Sequence, residues 1–411
     1  MAPNIGTDPK RSFFRPHSKL AILLAAILLV VLAIPAVAGA RNDHGWKNGH
    51  GWNHHGWKKH GRHGGPQVTV MTRNLFLGAD LSPAIAAASI PEAIDGAGEI
   101  WNEFQSTNFP ERAVPLAREI KRANPDLVGL QEVALWRQQL PSDGGAPPIS
   151  PIPGATSATV VVQDFLAILL KELAKVGARY EVAVVQDEFE GELPVDVDGS
   201  DATGTGPLAV FGSDFDARLT MRDVILVRKG TNIRLGEKAQ AHYATRYEPN
   251  VGGILIPVDR GWISVEGRVG RSEFRFVNTH LEAFGDPTIR EAQAKELIAG
   301  PLNTRKQIIL VGDLNSGGAR HNEPEQPGDD LAFKALESFG MFDNGAVQTC
   351  CYSDLFDATE VFDHTVDHVL TKPALRTKYA YVTGNDPRQR TPSGLWPSDH
   401  GGVVSRLQLS K

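Results

Sequence analysis

The chain has 411 residues, of which 42 are Lys or Arg and 48 are Asp or Glu, and it contains two cysteines. A hydrophobic fraction of 41% is ordinary for a globular protein and excludes a chain that is disordered throughout. The cysteine count excludes a small disulfide-stapled fold, and the net charge of −6 argues against a protein that simply coats nucleic acid.

The N-terminus has the pattern of an export signal. Four basic residues precede an unbroken apolar run over residues 20–34, and Pro35 and a cluster of small residues follow up to Ala40. This order predicts a signal peptide over residues 1–40 that is cleaved at the small residues. The uncharged stretch 20–40 is also long enough to span a bilayer, so an uncleaved membrane anchor is the alternative. The sequence therefore predicts a secreted or extracytoplasmic protein.

Residues 41–65 form a low-complexity segment in which His-Gly-Trp recurs three times. The segment has no aliphatic residue with which to build a core, which predicts a flexible tail. Its composition leaves three interpretations open: weak binding of Zn, Cu or Ni, contact with a surface or membrane, and a solvated spacer. Beyond it, residues 66–411 carry 33 basic against 46 acidic side chains. A polyanion would therefore have to bind at a local site.

From residue 66 onward strands and helices alternate, which predicts a single α/β domain over residues 66–411. Apolar runs rich in β-forming residues predict strands at 68–74, 126–132, 180–186, 223–228, 262–268, 273–280, 308–313, 366–371 and 403–409. Apolar residues at helical spacing predict helices at 110–124, 164–176 and 288–298. Stretches rich in Gly, Pro or acidic residues predict surface loops at 141–154, 188–206 and 317–328.

Polar side chains end several of these otherwise apolar strands. They are Asn74, Glu132, His280, Asp313 with Asn315, Asp367, and Asp399 with His400. Each one alone is explained by a helix cap, a turn or a structural histidine. Together they are too many acids, amides and imidazoles at strand ends for coincidence, and they predict that several strand tips converge on one cleft.

In this order the motifs resemble the endonuclease/exonuclease/phosphatase superfamily, whose fold is also called deoxyribonuclease I-like. The resemblance runs through MTRN, PDLVGLQEV, NTHLEAF, LVGDLNS, VDHVL and SDHGGVV. LQE and GD-x-N are weak signals alone, but the ordered series that ends in SDH is specific. The resemblance implies a four-layer α/β sandwich, in which two packed mixed β-sheets are flanked by helices, and an enzyme that hydrolyses phosphoester bonds.

The resemblance also implies a cation site. Glu132, with Asn74 beside it, is expected to ligate a divalent metal ion, and Asp399 is expected to add to the same site. A small set of oxygen ligands suits Mg²⁺ or Mn²⁺, which keep bound waters and share phosphate oxygens with the protein.

The remaining strand-end residues are assigned catalytic roles by the same resemblance. Asp313 and Asn315 are expected to orient the attacking water and the scissile phosphate. His400 is expected to be the general base, with Asp367 fixing its tautomer. His280 is expected to donate to the phosphate or to the leaving oxygen. Asp313 stays open as an alternative activator of the water.

Two further positions resemble functional positions of the family. Arg260 matches a phosphate-contacting arginine of deoxyribonucleases by position, and a simple surface charge is the alternative explanation. Arg222 and Asp223 lie where family members place a partner for the first catalytic histidine, so Asp223 is expected to orient His280.

Cys350 and Cys351 are adjacent in sequence. Export permits disulfides, but a bridge between neighbours closes a strained ring, so free thiols or a pairing between chains compete with it. Neither cysteine has a metal partner at a useful spacing in the sequence. A structural or incidental pair is the favoured interpretation.

Departures from known subfamilies narrow the substrate. The tryptophan-containing motifs of inositol polyphosphate phosphatases are missing, and NTHL together with the export signal argues against abasic-site repair enzymes. Secreted nucleases and sphingomyelinase-type phospholipases remain, and Arg260 favours a nuclease. A lipid substrate would call for an exposed apolar hairpin, for which residues 254–256 are a candidate, although a buried strand also explains them.

The sequence thus predicts a secreted, divalent-metal-dependent phosphodiesterase, with a nuclease as the favoured subtype. A phospholipase C-like sphingomyelinase is the alternative, and a non-catalytic, metal- or surface-binding exported protein is a third hypothesis that the intact polar set argues against. We expect Mg²⁺ or Mn²⁺ as cofactor. The expected partner is a phosphodiester, nucleic acid ahead of phospholipid, with no protein partner and a monomeric state.

Overall fold

A computed structural model describes residues 65–145, 155–198, 213–317 and 327–411. By its internal contacts the chain divides into residues 1–60 and residues 61–411. The predicted signal segment, residues 1–40, and all of the 41–65 segment except Gly65 lie outside the described residues. Among the helices that are described, none is both long and apolar enough to cross a membrane.

The described residues form sixteen strands and six α-helices. The strands are β1 (Gln67–Asn74), β2 (Leu127–Gln131), β3 (Leu135–Gln139), β4 (Val160–Asp164), β5 (Tyr180–Val195), β6 (Phe215–Arg228), β7 (Arg234–His242), β8 (Asn250–Val251), β9 (Ile254–Leu255), β10 (Gly261–Val269), β11 (Ser272–His280), β12 (Gln307–Asp313), β13 (Phe342–Asp343), β14 (Asp367–Lys372), β15 (Arg376–Thr383) and β16 (Gly402–Gln408). The helices are α1 (Ser82–Ile85), α2 (Ile90–Ser106), α3 (Phe109–Ala123), α4 (Phe165–Lys175), α5 (Pro287–Ala299) and α6 (Leu331–Ser338). Every strand and helix predicted from the sequence is present, and β5 and β6 extend well beyond their predicted ends.

Two mixed sheets form the centre of the molecule. The first has eight strands in the order β15-β16-β1-β2-β6-β3-β4, with β5 paired to β6, and β1 runs parallel to β2. The second has six strands in the order β13-β14-β12-β11-β10-β7, and β11 runs parallel to β12. The other described pairs in both sheets are antiparallel.

Three apolar cores separate four layers. The two sheets pack on each other through residues such as Leu127 and Ile225 of the first and Phe276 and Ile309 of the second. The outer face of the first sheet packs on α2, α3 and α4, and that of the second packs on α5 and α6. Burial of apolar side chains on both faces of each sheet stabilises this order of layers. The predicted four-layer sandwich is confirmed.

Helix starts follow local capping chemistry. The side chain of Asp164 accepts hydrogen bonds from Leu166 N and Ala167 N at the start of α4, and Asp286 accepts from Thr288 N at the start of α5. The sequence did not predict α2, because two glycines interrupt its apolar pattern. One of them, Gly98, has no room for a side chain, since a Cβ there would collide with the Asp196 carbonyl oxygen.

The prediction of an acidic surface loop at 188–206 is wrong over residues 188–195. These residues continue β5 and pair with β6. Two of the three acids in this stretch have partners that offset their charge. Glu190 accepts a hydrogen bond from Thr220 Oγ1 at 2.9 Å and pairs with Arg218, and Glu192 accepts from Ala158 N at 3.0 Å. Residues 199–206 lie outside the described residues, as do 146–154 and 318–326 of the other two predicted loops.

Residues 254–256 are not a buried strand. Ile254–Leu255 pairs with Asn250–Val251 in a separate two-stranded hairpin, and Leu255 is 61% exposed. Ile256, directly after the hairpin, is buried. The exposed-hairpin interpretation therefore matches the structure at Leu255, whereas Ile254 is half-buried and Ile256 faces the interior.

Candidate active site

The polar residues at the predicted strand ends meet at one edge of the sandwich. His280, Asp313 and Asp367 are in register across β11, β12 and β14. Asn74 ends β1, and Glu132 follows the parallel strand β2. A cleft of about 730 Å³ opens at this edge, and its lining includes Glu132, Arg260, His280, Asp313, Asn315, Asp399 and His400. All nine residues predicted for the site therefore lie in one region of the fold.

His400 and Asp367 form an oriented pair in the floor of the cleft. His400 Nδ1 lies 2.9 Å from Asp367 Oδ2, and both side chains are buried. Because the carboxylate accepts the Nδ1 proton, Nε2 of the neutral ring carries the lone pair. Nε2 lies 3.7 Å from Asp313 Oδ2. Burial lowers the pKa of His400, but the carboxylates of Asp367, Asp399 and Asp313 outweigh it and raise the pKa well above its usual 6.5.

His280 presents the opposite tautomer. Arg260 Nη1 lies 3.0 Å from His280 Nδ1, and a guanidinium can only donate, so Nδ1 accepts and the ring proton is on Nε2. His280 Nε2 lies 3.5 Å from Asp313 Oδ2 and 4.0 Å from Glu132 Oε1. Burial, and after it the charge of Arg260, lowers the pKa of His280 well below 6.5. His280 is thus a neutral hydrogen-bond donor directed into the cleft.

Arg260 is buried, with 3% of its surface exposed, so the surface-charge explanation for it is wrong. Its Nε lies 3.4 Å from Glu282 Oε2, and the side chain lines the cleft. The predicted orientation of His280 by Asp223 is also wrong, because Arg260 holds the His280 Nδ1 atom. Arg222 instead bonds the Val133 carbonyl and pairs with Asp164.

Asp223, the neighbour of Arg222 in the sequence, is a buried aspartate. Neither of its carboxyl oxygens has a hydrogen-bond partner among the described residues. Burial raises the pKa of Asp223 well above its usual 3.8. Burial of this carboxyl group without a hydrogen-bond partner therefore favours its protonated form.

Asn74 holds two of the carboxylates in place. Its Nδ2 donates to Glu132 Oε1 at 3.0 Å and to Asp313 Oδ2 at 3.1 Å, while its Oδ1 accepts from Phe76 N. The other Glu132 oxygen accepts from Leu77 N at 2.8 Å. In this arrangement Asn74 orients the predicted metal ligand Glu132. Ligation by Asn74 itself stays a prediction.

Two site residues have left-handed backbone conformations. Glu132 has a φ of 54° and Asn315 a φ of 45°. Asn315 N donates to Asp313 Oδ1 at 2.8 Å, and its Nδ2 donates to the Leu281 carbonyl at 2.9 Å. Such conformations are unfavourable for residues other than glycine and persist where the surrounding structure fixes them, which is frequent at functional sites.

The donor set fits a hard divalent cation. Burial and the nearby Asp399 raise the pKa of Glu132, and burial raises the pKa of Asp313 to about 6 and that of Asp399. These carboxylates crowd together in a buried floor, where negative charge is costly unless a cation compensates it. Their oxygens are the ligand type that Mg²⁺ and Mn²⁺ prefer. Glu132 and Asp399 would hold such an ion.

The cleft continues from this polar floor along an apolar wall. Six of the wall residues are Leu81, Ile100, Trp136, Leu219, Ile256 and Phe356. Among the described lining residues Arg260 is the one Lys or Arg, whereas seven are Asp or Glu. Phe356 is 48% exposed at the rim. The cleft as a whole is therefore apolar and acidic rather than basic.

Cys350 and Cys351 are joined by a disulfide, and both sulfurs lie against the site. Cys350 Sγ lies 3.6 Å from His400 Nε2, and Cys351 Sγ lies 3.7 Å from the same nitrogen. The fold brings the imidazoles of His364 and His400 close to these sulfurs, a proximity that spacing in the sequence did not predict. Sequence spacing could not reveal this, since 49 residues separate Cys351 from His400.

Two supporting residues were also missed. Glu282 pairs with Arg260, and Thr349 Oγ1 accepts from the backbone N of Asp367 at 3.2 Å. Glu282 follows His280 by two residues within NTHLEAF, and that spacing was the available signal. No local pattern marks Thr349.

Comparisons with known proteins give a family match and several similar solved structures. The model of the Endonuclease/Exonuclease/phosphatase family matches residues 100–400. A family protein from Bacteroides thetaiotaomicron is 18% identical over 84% of this chain and 99% of its own, with a TM-score of 0.48. An endonuclease/exonuclease/phosphatase from Beutenbergia cavernae is 20% identical over 84% of this chain and 72% of its own, with a TM-score of 0.46. No curated protein matches the sequence.

The chain belongs to the endonuclease/exonuclease/phosphatase family. Membership makes it a hydrolase of phosphoester bonds, in a family that usually uses a divalent metal ion. The sequence resemblance and the fold it implied are thereby confirmed.

Proposed function

We propose that the protein is a divalent-metal-dependent phosphodiesterase, with Mg²⁺ or Mn²⁺ as the cofactor. One observation carries the proposal: two histidines of opposite tautomer face the Asp313 carboxylate from either side. His280 Nε2 offers a proton, and His400, whose pKa is raised, offers a lone pair on Nε2 once its ring is deprotonated. Hydrolysis of a phosphodiester needs a proton acceptor for the attacking water and a donor for the phosphate or leaving oxygen.

In this proposal each residue of the floor has a separate role in hydrolysis. His400 Nε2 removes the proton from water, and Asp367 stabilises the resulting imidazolium. Asp313 orients that water and is the alternative proton acceptor. His280 Nε2 donates a hydrogen bond to a phosphate oxygen or to the leaving oxygen. A divalent cation held by Glu132 and Asp399 supplies positive charge for the phosphate oxygens in the transition state.

The metal requirement is tested with the full chain and bis(p-nitrophenyl) phosphate. We expect Mg²⁺-dependent release of nitrophenol that EDTA abolishes, and a Glu132→Gln variant that needs about tenfold more Mg²⁺ for half-maximal rate. Glu103→Gln is the matched control, because Glu103 lines the same cleft outside the floor. Equal Mg²⁺ dependence in all three proteins, or activity that survives EDTA, contradicts the proposal.

Nucleic acid is the substrate that the sequence favours. Arg260 supports this choice, since it lines the cleft next to His280. Nicking of supercoiled plasmid with Mg²⁺ is the direct test, and Arg260→Ala is expected to reduce it. A folded protein that is active on bis(p-nitrophenyl) phosphate and leaves plasmid intact would eliminate the nuclease subtype.

A phospholipid is the second candidate, and the apolar wall favours it. Leu255 and Phe356 are exposed apolar side chains, and the neighbouring Ile256 and Phe356 itself line the cleft. An amphiphile could place its headgroup phosphate at the floor while its chains contact the wall and rim. Release of phosphocholine from sphingomyelin vesicles, run beside the plasmid assay, decides between the two substrates.

We also propose that the protein is exported. The proposal is supported by the basic, apolar and small-residue regions of residues 1–40. N-terminal sequencing of protein from the culture medium and from the membrane fraction tests it. A mature N-terminus within the small-residue cluster before Arg41 identifies a cleaved signal, whereas an intact N-terminus in the membrane fraction identifies an anchor.

A further inference from the structure

Two exposed tyrosines stand side by side on β15, the terminal strand of the first sheet among the described residues. Tyr379 and Tyr381 are two residues apart on this strand, so their side chains point to the same face. Their ring centroids are 5.9 Å apart, with the ring planes tilted by 37°. The two side chains are 40% and 37% exposed. They form an aromatic pair that is open to a partner.

Strand register and α3 bring arginines to this pair. Tyr379 is opposite the exposed Arg406 of β16, so the two side chains lie on the same face of the sheet. Tyr381 is opposite Val404, which packs in the core that the first sheet shares with α3. Burial raises the pKa of Tyr381, and the charge of Arg122, in the last turn of α3, opposes this rise. We call Arg122, Tyr379, Tyr381 and Arg406 the tyrosine–arginine surface.

The charge of this region is opposite to that of the rest of the domain. Residues 376–390 contain four Lys or Arg and a single acid, Asp386, which pairs with Arg388. Residues 66–411 as a whole carry 33 basic against 46 acidic side chains. The described lining of the cleft has seven acids and one arginine. A polyanion is therefore attracted to the tyrosine–arginine surface and repelled by most of its surroundings.

β15 leads from this surface to the edge of the sandwich that carries the catalytic floor. Thr383 is the last residue of β15, and its Oγ1 donates to Glu119 at 3.0 Å. Glu119 pairs with the buried Arg73, which donates to the His400 carbonyl oxygen. Tyr381 is two residues from Thr383, about 7 Å along the strand. A chain that is bound at the tyrosine–arginine surface can therefore continue towards the floor.

We propose that the tyrosine–arginine surface binds single-stranded nucleic acid. Unpaired bases stack on Tyr379 and Tyr381, and the phosphates contact Arg122 and Arg406. A duplex keeps its bases stacked inside the helix, so it can use the arginines but not the faces of the two rings. Binding stands independently of the proposed function. Delivery of the bound strand to the floor for hydrolysis rests on that function.

Binding is tested with the full chain and a fluorescein-labelled oligothymidylate, by fluorescence anisotropy in EDTA so that hydrolysis does not interfere. The double variant Tyr379→Ala/Tyr381→Ala should raise Kd by about tenfold or more, because each base loses its stacking partner. Tyr379→Phe/Tyr381→Phe keeps both rings and should bind as the wild type does. All of these proteins carry the same segment 41–65, so any difference between them reports the surface.

Two matched controls and a charge variant sharpen the test. Phe342→Ala removes an exposed aromatic ring from the other sheet and should leave Kd unchanged. Arg122→Gln should lower the slope of log Kd against log salt concentration by about 0.7, the value for one phosphate contact on a single strand. Lys238→Gln, at an exposed position in β7, should keep the wild-type slope.

Three results overturn the proposal. The first is a wild type that does not bind oligothymidylate, and the second is a Tyr379→Ala/Tyr381→Ala variant that binds it as tightly as the wild type. The third comes from phosphatidylglycerol vesicles, which offer anionic phosphates without bases. If the double variant loses binding to these vesicles and keeps binding to oligothymidylate, the surface contacts a membrane instead.

Catalysis provides the second readout. Tyr379→Ala/Tyr381→Ala should keep the wild-type kcat on bis(p-nitrophenyl) phosphate, which also shows that it is folded, and should raise KM for single-stranded DNA by about tenfold. An unchanged KM overturns delivery of the bound strand to the floor. Oligothymidylate binding by a protein that hydrolyses no phosphodiester overturns the proposed function and leaves the surface standing. Hydrolysis of bis(p-nitrophenyl) phosphate without oligothymidylate binding overturns the surface alone.

Discussion

The floor and the wall of the cleft are built in different ways. Floor residues stand at strand ends and are fixed by short polar contacts, such as Asn74 to Glu132 at 3.0 Å and Asp367 to His400 at 2.9 Å. Wall residues come from α2, β3, β6 and the loops around Leu81, Ile256 and Phe356, and most of them pack in apolar clusters. Reaction chemistry needs atoms placed to fractions of an ångström, whereas an apolar wall needs volume and shape. The residues of the floor therefore indicate the type of reaction, and the residues of the wall indicate the class of substrate.

The largest effect is expected from removal of the base in the floor. His400→Ala should lower kcat on bis(p-nitrophenyl) phosphate by roughly 1,000-fold, since general-base catalysis contributes on this order. Circular dichroism melting establishes that the variant is folded. His242→Ala removes an exposed histidine far along the sequence and should keep the wild-type rate. A His400→Ala enzyme with wild-type kcat would remove His400 from the mechanism.

The next largest effect on kcat is expected from Arg260, which fixes the tautomer of His280. Arg260→Ala removes the donor at His280 Nδ1 and should lower kcat by roughly 100-fold, because the His280 proton is no longer directed to Nε2. Arg260→Lys keeps a donor and a charge and should recover part of the rate. Equal kcat in the two variants would show that Arg260 has a packing role only. Two-dimensional ¹⁵N NMR of the imidazole nitrogens reports the tautomer directly.

A change at Leu255, the exposed neighbour of the cleft-lining Ile256, should affect hydrolysis of one substrate class and leave the chemistry intact. Leu255→Asp is expected to lower hydrolysis of sphingomyelin vesicles by about tenfold, the equivalent of losing about 1.4 kcal/mol of apolar contact. Its kcat on bis(p-nitrophenyl) phosphate should be unchanged. Val160→Asp, at an exposed apolar position in β4, is the matched control. Equal loss on both substrates would mean that the rim and the floor are not separable.

The smallest expected effect is on the free energy of unfolding, and it comes from a change at Asp223. In the folded protein Asp223 keeps its proton well above pH 3.8, whereas the unfolded chain releases it there. The wild type therefore loses stability as the pH rises from about 4 towards the raised pKa of the folded state. Asp223→Asn removes this loss and should be more stable at pH 8 by on the order of 1 kcal/mol.

Urea unfolding of both proteins at pH 5 and pH 8 measures this difference. The advantage of Asp223→Asn should be larger at pH 8 than at pH 5. Asp386→Asn, at a half-buried aspartate whose pKa is lowered to about 2, should show no such gain. An advantage that does not grow with pH would mean that Asp223 is ionised in the folded state.

Much of the floor was predictable because it depends on local sequence. A buried strand that ends in a polar residue is a pattern of a few neighbours. Glu132 directly follows such a strand, and His280 and Asp313 are the last residues of theirs. The order of these motifs along the chain, read with the family resemblance, was enough to predict the four layers. The failure at residues 188–195 has the opposite cause. Their acids resemble a loop until β6 supplies Arg218 as a partner.

The contacts that give the site its chemistry were decided by tertiary structure. Arg260 reaches His280 across the β10–β11 pair, and the sulfur of Cys351 reaches His400 from 49 residues away. Such pairs depend on strand register and on loop paths, which no local pattern encodes. The sequence by itself determined which residues stand at the strand ends. Only the folded structure decided which nitrogen of each histidine faces the cleft, because that choice depends on the partner at the other nitrogen.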